Sequence, residues 1–288
     1  MKDKRKILIA GGDLRQIYCG RYLAERFDLS FAGFDRCYIP ENLKIFSGDI
    51  DCYDVFDYIV FPVPPLKDGK YINTPFSGEA LTPEDIKRHI NSDTVIFCGK
   101  ADEDFRSFFS DNEVYDYMDR EELNILNAVP TAEGAICIAL EELPVTLSNS
   151  RILITGFGRI GKILAGILKG FGADITVMTG SISNKAWAKA MDFKVCSKSD
   201  IDSSYNLIFN TAPVLIFDRD TLEKLGSETI LIDLASKPGG VDFKSAGETG
   251  IKAIWALGIP GKTAPVTAGE IIAETIENII MERSDRYD

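Results

Sequence analysis

The sequence has a single histidine, His89, among 288 residues. One imidazole cannot build a histidine cluster, and the six cysteines (Cys19, Cys37, Cys52, Cys98, Cys137 and Cys196) include no C-x-x-C pair. We therefore expect no metal site and reduced, mostly packed thiols. No uninterrupted apolar run approaches the roughly 18 residues of a membrane span. The basic start MKDKRKILIAGGD leads into only about four apolar residues before a glycine turn, too short for a secretory signal. These absences predict a soluble protein that stays in the cytoplasm and engages no membrane. Cations are also in short supply: 32 lysines and arginines face 44 acids, for a net charge of −12. That balance argues against a nucleic-acid partner, which would want basic patches, and against anionic membrane surfaces. An anionic substrate would need a local positive pocket.

Glycine is not scarce, and its placement is informative. Residues 151–180 read RILITGFGRIGKILAGILKGFGADITVMTG. An apolar run leads into Gly156, Gly158 and Gly161, with Arg159 and Ile160 between them. A segment of helical period follows, and then a second apolar run. In a strand–turn–helix–strand unit of this kind, Gly156 permits the tight turn, Gly158 lets backbone approach a pyrophosphate, and Gly161 lets the helix lie close on the strand. The phosphates are expected at the positive end of the helix. The ribose-binding acid that often follows the second strand is absent. About 18 residues past Gly161 come Thr179, Gly180 and Ser181, with Ser183 and Lys185 behind them, while Asp174 comes too early. Hydroxyls and a lysine in place of a carboxylate favour NADP, with NAD as the other possibility.

Length and patterning predict two Rossmann-like, doubly wound α/β domains with a cleft between them. The first spans 1–127 plus 264–288 and the second 128–263. A βα unit over 6–27 places Arg15 and Gln16 at the end of a parallel strand, where ligands bind, although the turn GGDLRQ lacks the dinucleotide spacing. Further strands are expected at 29–34, 58–61, 94–98 and 113–118, and a proline-bearing loop runs from Phe61 to Pro75. His89, in the polar segment IKRHI, reads as a surface residue. A helix over 130–143, capped by Thr131 and striped with Ile136, Leu140 and Leu143, would bridge to the second domain. Beyond the glycine unit, strands at 205–209 and 229–233 run into Asn210-Thr211-Ala212-Pro213 and into the stretch from Asp233 to Gly240, both on the rim expected to hold the cofactor. Ser236 and Lys237 become candidates for an anionic substrate. After a strand at 251–255, residues 257–269 read as a loop. The final helix carries Ile272, Ile276, Ile279 and Ile280 on one face, and that stripe needs the first domain to cover it.

Four motifs together resemble the family of dipicolinate synthase A subunits. They are GGDLRQ at Gly11 to Gln16, VPTAEG at Val129 to Gly134, DLASKPGG at Asp233 to Gly240 and PGKTAPVTAG at Pro260 to Gly269. The resemblance implies a two-domain dehydrogenase similar to the D-2-hydroxyacid dehydrogenases. It implies NADP-dependent oxidation of dihydrodipicolinate to dipicolinate in the mother cell of a spore-forming bacterium, together with a flavoprotein-like B subunit. A homo-oligomer is expected, and no catalytic residue is assigned. The substrate, a ring with two carboxylates, would lie between Arg15 and Lys237. Two other readings stand beside this one. A 2-hydroxyacid dehydrogenase would need a histidine base on the nicotinamide rim. A protein that only senses NAD(P) or acts as a scaffold would need none.

Overall fold

Short runs of branched and aromatic residues, sealed on both faces, make the strands of this chain. The structure is a computed structural model that describes residues 4–46 and 55–287, so Cys52 lies outside the described residues. The chain divides into two units, Met1–Leu126 with Ala264–Asp288, and Asn127–Thr263.

In the first unit the elements run β1 (Lys6–Ala10), α1 (Leu14–Leu23), β2 (Asp28–Ala32), β3 (Lys44–Ile45), β4 (Tyr58–Val60), β5 (Leu66–Lys67), β6 (Tyr71–Ile72), α2 (Pro83–Lys87), β7 (Val95–Cys98), α3 (Glu103–Phe108), β8 (Glu113–Asp116) and α4 (Glu121–Leu126). Six strands form a sheet in the order β3-β2-β1-β4-β7-β8, every pairing parallel. The β5–β6 hairpin is antiparallel and occupies part of the stretch expected to be loop. Apolar clusters cover both sheet faces, one around Ile7, Ile9 and Phe31, the other around Leu8, Ile59 and Phe61.

The second unit runs α5 (Ala128–Glu142), β9 (Arg151–Thr155), α6 (Arg159–Gly170), β10 (Asp174–Met178), α7 (Ile182–Ala190), β11 (Lys194–Cys196), β12 (Leu207–Asn210), α8 (Arg219–Leu222), β13 (Ile230–Asp233), α9 (Phe243–Thr249), β14 (Lys252–Trp255) and α10 (Ile259–Thr263). Its sheet is also all parallel, in the order β11-β10-β9-β12-β13-β14. The order reverses between β9 and β12, the switch point where α/β sheets bind ligands. The fold class is therefore α/β, with two doubly wound Rossmann-like sheets.

The last helix, α11 (Pro265–Tyr287), belongs to the first unit. Ile271, Ile272, Ile276 and Ile279 are buried in the cluster that holds Ile7 and Phe31, and Ile280 packs against it. The approach to α1 is close: a Cβ on Gly269 would lie 2.5 Å from the carbonyl oxygen of Arg15. A side chain there would push the two helices apart.

Several expectations are corrected. His89 is only 8% exposed and stands edge-on to Phe46 with ring centroids 4.6 Å apart. Its neighbours come from elsewhere in the chain, so the polar context IKRHI concealed them. Thr131 does not cap a helix. The helix begins earlier, at Ala128, and the Thr131 hydroxyl donates to the Asn127 carbonyl oxygen at 2.7 Å. The buried face of α5 carries Ala132, Ala135, Ile136 and Ala139, leaving Leu140 exposed. The stretch after β14, expected to be loop, contains α10. Among the described residues, Glu121–Glu142 has the length and apolarity of a membrane span, but half of it is buried in the fold. Cys19, Cys37, Cys98, Cys137 and Cys196 are free thiols, with Cys37 and Cys137 exposed.

Candidate functional site

The glycine turn lies at the C-terminal end of β9, and its three glycines meet different constraints. Gly156 has φ +85°, and a Cβ there would sit 2.3 Å from Thr211 Oγ1. A Cβ on Gly161 would sit 2.6 Å from the Gly156 carbonyl oxygen, so the helix rests directly on the turn. Gly158 is the opposite case. It is the N-cap of α6 with ordinary φ −81°, nothing lies within 4 Å of its missing Cβ, and no side chain caps the helix. The start of this 12-residue helix therefore combines an absent side-chain cap with open space beside the Gly158 Cα. Phe157 is buried and Ile160 packs on the core, which fixes the turn from beneath, while Arg159 is exposed. Open room at Gly158, together with uncapped donors at the positive end of the helix, fits a dinucleotide pyrophosphate.

Beside this turn, β10 ends at Met178, whose carbonyl accepts the Gly156 N–H at 2.8 Å. Thr179 is half-buried; Gly180, Ser181 and Lys185 are exposed. Ser181 caps α7 by accepting from the Asn184 N–H at 3.3 Å and shares a 2.9 Å hydrogen bond with Ser183. No carboxylate occurs from Thr179 to Met191.

Across the switch point a buried polar chain joins three strand ends. The Thr155 hydroxyl donates to Asn210 Oδ1 at 2.6 Å, and Asn210 Nδ2 donates to Asp233 Oδ1 at 2.7 Å. Thr155, Asn210 and Asp233 are in register on adjacent strands, and all three are 0% exposed. The chain extends into both following loops. Asn210 Nδ2 also donates to the Ala212 carbonyl at 3.0 Å, and Asp233 accepts the Ala235 N–H at 3.0 Å and the Gly240 N–H at 2.8 Å. Gly240 has no room for a side chain, since its Cβ would fall 2.2 Å from Asn210 Nδ2. The side chains of Asn210 and Asp233, expected to touch a cofactor, lie buried beneath the rim, their polar atoms spent on each other and on shaping it. Thr211 and Ala212, partly exposed, and Pro213, exposed, remain on that rim, as do exposed Ser236 and Lys237.

In the first unit, β1 runs into Gly11 and Gly12, both at positive φ, and Asp13 then caps α1 in a reciprocal box with Gln16. Gln16 Oε1 accepts the Asp13 N–H at 3.2 Å, and the side chain is 0% exposed. Gln16 Nε2 is buried with no hydrogen-bond partner among the described residues. Asp13 holds Arg15 through three nitrogens: the backbone N–H at 2.9 Å, Nε at 3.0 Å and Nη2 at 2.8 Å. Burial works to raise the Asp13 carboxyl, but the hydrogen bonds and charge of Arg15 outweigh it and hold the group below the usual aspartate range. Burial works against the Arg15 charge too, and Asp13 more than restores it. A carboxylate at this N-cap repels phosphate, so the turn before α1 is no counterpart of the Gly158 site. Neither Asp13 nor the strand-end chain stands out in the sequence. The recurrence of Thr, Asn and Asp at the ends of three consecutive sheet neighbours was the available signal.

Known proteins share this architecture. The family model for the N-terminal domain of the dipicolinate synthase A subunit matches residues 6–118. The model for the D-isomer specific 2-hydroxyacid dehydrogenase, NAD binding domain, matches residues 133–238. The A subunit of dipicolinate synthase from Bacillus subtilis (strain 168) is 30% identical over 290 residues, covering 96% of each chain. The crystal structure of the dipicolinate synthase A chain from Bacillus subtilis superposes with TM-score 0.87 at 28% identity, covering 99% of both chains. That of the dipicolinate synthase A subunit from Bacillus halodurans gives 0.88 at 29% identity, covering 97% of this chain and 98% of the other.

Proposed function

The chain belongs to the family of dipicolinate synthase A subunits and is an NAD(P)-dependent oxidoreductase, and from this we propose that it oxidises dihydrodipicolinate to dipicolinate with NADP. The observation that carries the cofactor half of this reading is the open, uncapped start of α6 at Gly158, set on a turn that tolerates no other side chain at Gly156 or Gly161. Gly156, Gly158, Arg159, Ile160 and Gly161 would lie along the pyrophosphate. Thr211, Ala212 and Pro213 would flank the cofactor from the next strand. Thr179, Gly180, Ser181 and Lys185 would meet the adenosine ribose, where hydroxyls and a lysine accept a 2′-phosphate that a carboxylate would repel.

When bound, the nicotinamide supplies the hydride acceptor. The ring loses a hydride and a proton and becomes aromatic, so the chain needs to provide orientation, charge and exclusion of water rather than a strong base. Carboxylate recognition is assigned to Arg15 in the first unit and, independently, to Lys237 with Ser236 in the second. The setting would be the mother-cell cytoplasm of a sporulating bacterium, where the chain would form a homo-oligomer and partner a flavoprotein-like B subunit. A 2-hydroxyacid dehydrogenase fits less well, because the single histidine is buried against Phe46.

The test is an assay of the purified chain with dihydrodipicolinate and NADP, with and without the B subunit, reading NADPH formation and pyridine dicarboxylate absorbance together. Stoichiometric appearance of both is expected. Binding of NADP without turnover, whether or not the B subunit is present, would make the chain a sensing or scaffolding component instead.

A further inference from the structure

We propose that Asp13 is a positioning residue for Arg15, fixing the guanidinium by its Nε–Nη2 edge so that the Nη1 side is the part presented to a substrate carboxylate. The inference rests on the assignment of Arg15 to the substrate. A guanidinium has two edges able to take a carboxylate with parallel hydrogen bonds, the Nε–Nη2 side and the Nη1–Nη2 end. Asp13 occupies the first, with its Oδ1 3.0 Å from Nε and its Oδ2 2.8 Å from Nη2. Nη1 has no hydrogen-bond partner among the described residues, and the Arg15 side chain is 17% exposed, enough to be reached but too little to swing freely. The backbone is held as well. Its N–H is tied to Asp13, and its carbonyl packs on α11 at Gly269. Of the two docking modes open to a free arginine, only the end-on one remains.

An N-cap alone does not account for this arrangement. Capping uses one oxygen of Asp13 on one backbone N–H, and serine, threonine or asparagine would serve. The second oxygen and the fork to Arg15 are additional. A half-buried aspartate, its side chain 34% exposed, that also lowers the net positive charge near an incoming anion is useful there only if it aims the cation.

Asp13→Asn separates the two roles. It keeps an oxygen for the cap and puts an NH2 group opposite the Nη2 donor, which breaks the fork. We expect the KM for dihydrodipicolinate and the dissociation constant of dipicolinate to rise about tenfold, with kcat changed by less than about threefold and NADP binding unchanged. In an Arg15→Ala background the same substitution should add nothing, because the group it aims is gone. Asp13→Ser, which also caps without a fork, should repeat the result if the asparagine variant folds poorly. Parental dipicolinate affinity in both Asp13 variants, or an equal loss when Arg15 is already alanine, would overturn the positioning role while leaving Arg15 in place. Parental affinity in Arg15→Ala alone would overturn the assignment of Arg15 itself, and the inference with it.

Discussion

Gly156, Gly158 and Gly161 lie within one turn, yet alanine at each should fail differently. Gly158 has ordinary backbone angles and empty space around it, so Gly158→Ala should leave the unfolding free energy within about 0.5 kcal/mol of the parent. The added methyl would instead stand where the proposed reading puts the pyrophosphate, and on that reading NADP affinity should fall at least about tenfold. Gly156→Ala places a side chain at φ +85° and into Thr211, so it should cost about 2 kcal/mol or more in stability. Urea unfolding and cofactor titration on the two variants check the contrast; equal loss of stability would mean that Gly158 is a packing residue. The specificity rim gives a second residue-scale prediction. Thr179→Asp puts a carboxylate into the stretch from Thr179 to Met191, where the parent chain has none, and should weaken NADP while sparing or improving NAD. Parental chain that bound NAD as tightly as NADP would contradict the assignment.

The relevant element is the set of strand ends rather than any single strand. Because Thr155, Asn210 and Asp233 are in register, their side chains form one hydrogen-bonded row that anchors the loops at Ala212, Ala235 and Gly240. Asp233→Ala would remove one of the two acceptors of Asn210 Nδ2 and leave two backbone N–H groups unpaired in a sealed site, at a cost of about 2 to 4 kcal/mol. We expect a lower thermal transition for the second unit and weaker cofactor binding through loosened loops, although the side chain itself is out of a ligand's reach. An unchanged melting profile would refute this. The row also shows what the sequence could and could not disclose. Strands such as Ile152 to Ile154 were legible because a continuous apolar run bounded by glycine has few alternatives. The glycine turn was legible because each glycine answers a local steric need. Asn210 and Asp233 were legible as rim positions but not as buried ones, since burial depends on a neighbour 23 residues away. His89 was misread for the same reason: its cover, Phe46, is distant in sequence. The helix Ile259–Thr263 was hidden by Pro260 and Gly261, which usually signal loops, and Leu140 followed the helical period while lying on the exposed face.

At the scale of the whole molecule the excess of acid governs stability against pH. Many of the carboxylates also cap helices or turns. Asp218 caps α8 and meets Lys198, which together bring it down to about 2, with Lys198 the larger influence. In Asp13, burial is outweighed by Arg15; Asp85 is held low mainly by Thr82, Asp200 by Ser197, and Asp242 by Ser245. The sign follows directly. A carboxyl whose folded pKa lies below its unfolded value of about 3.8 stabilises the fold above that pH, and the contribution is lost as pH falls through the folded value. Self-repulsion runs on a different axis, since the net charge of −12 at pH 7 vanishes near pH 4.7. Acidification from pH 7 to about 5 therefore relieves repulsion while the caps stay charged, and stability should hold or rise slightly. Below about pH 4 the caps protonate and the net charge turns positive, so both effects reverse together. The urea midpoint should then fall steeply between about pH 4 and 2. Added salt should raise it at pH 7, where like charges dominate, and change it little near pH 4.7. A midpoint at about pH 2.5 equal to that at pH 7 would mean that the capping carboxylates do not stabilise either unit.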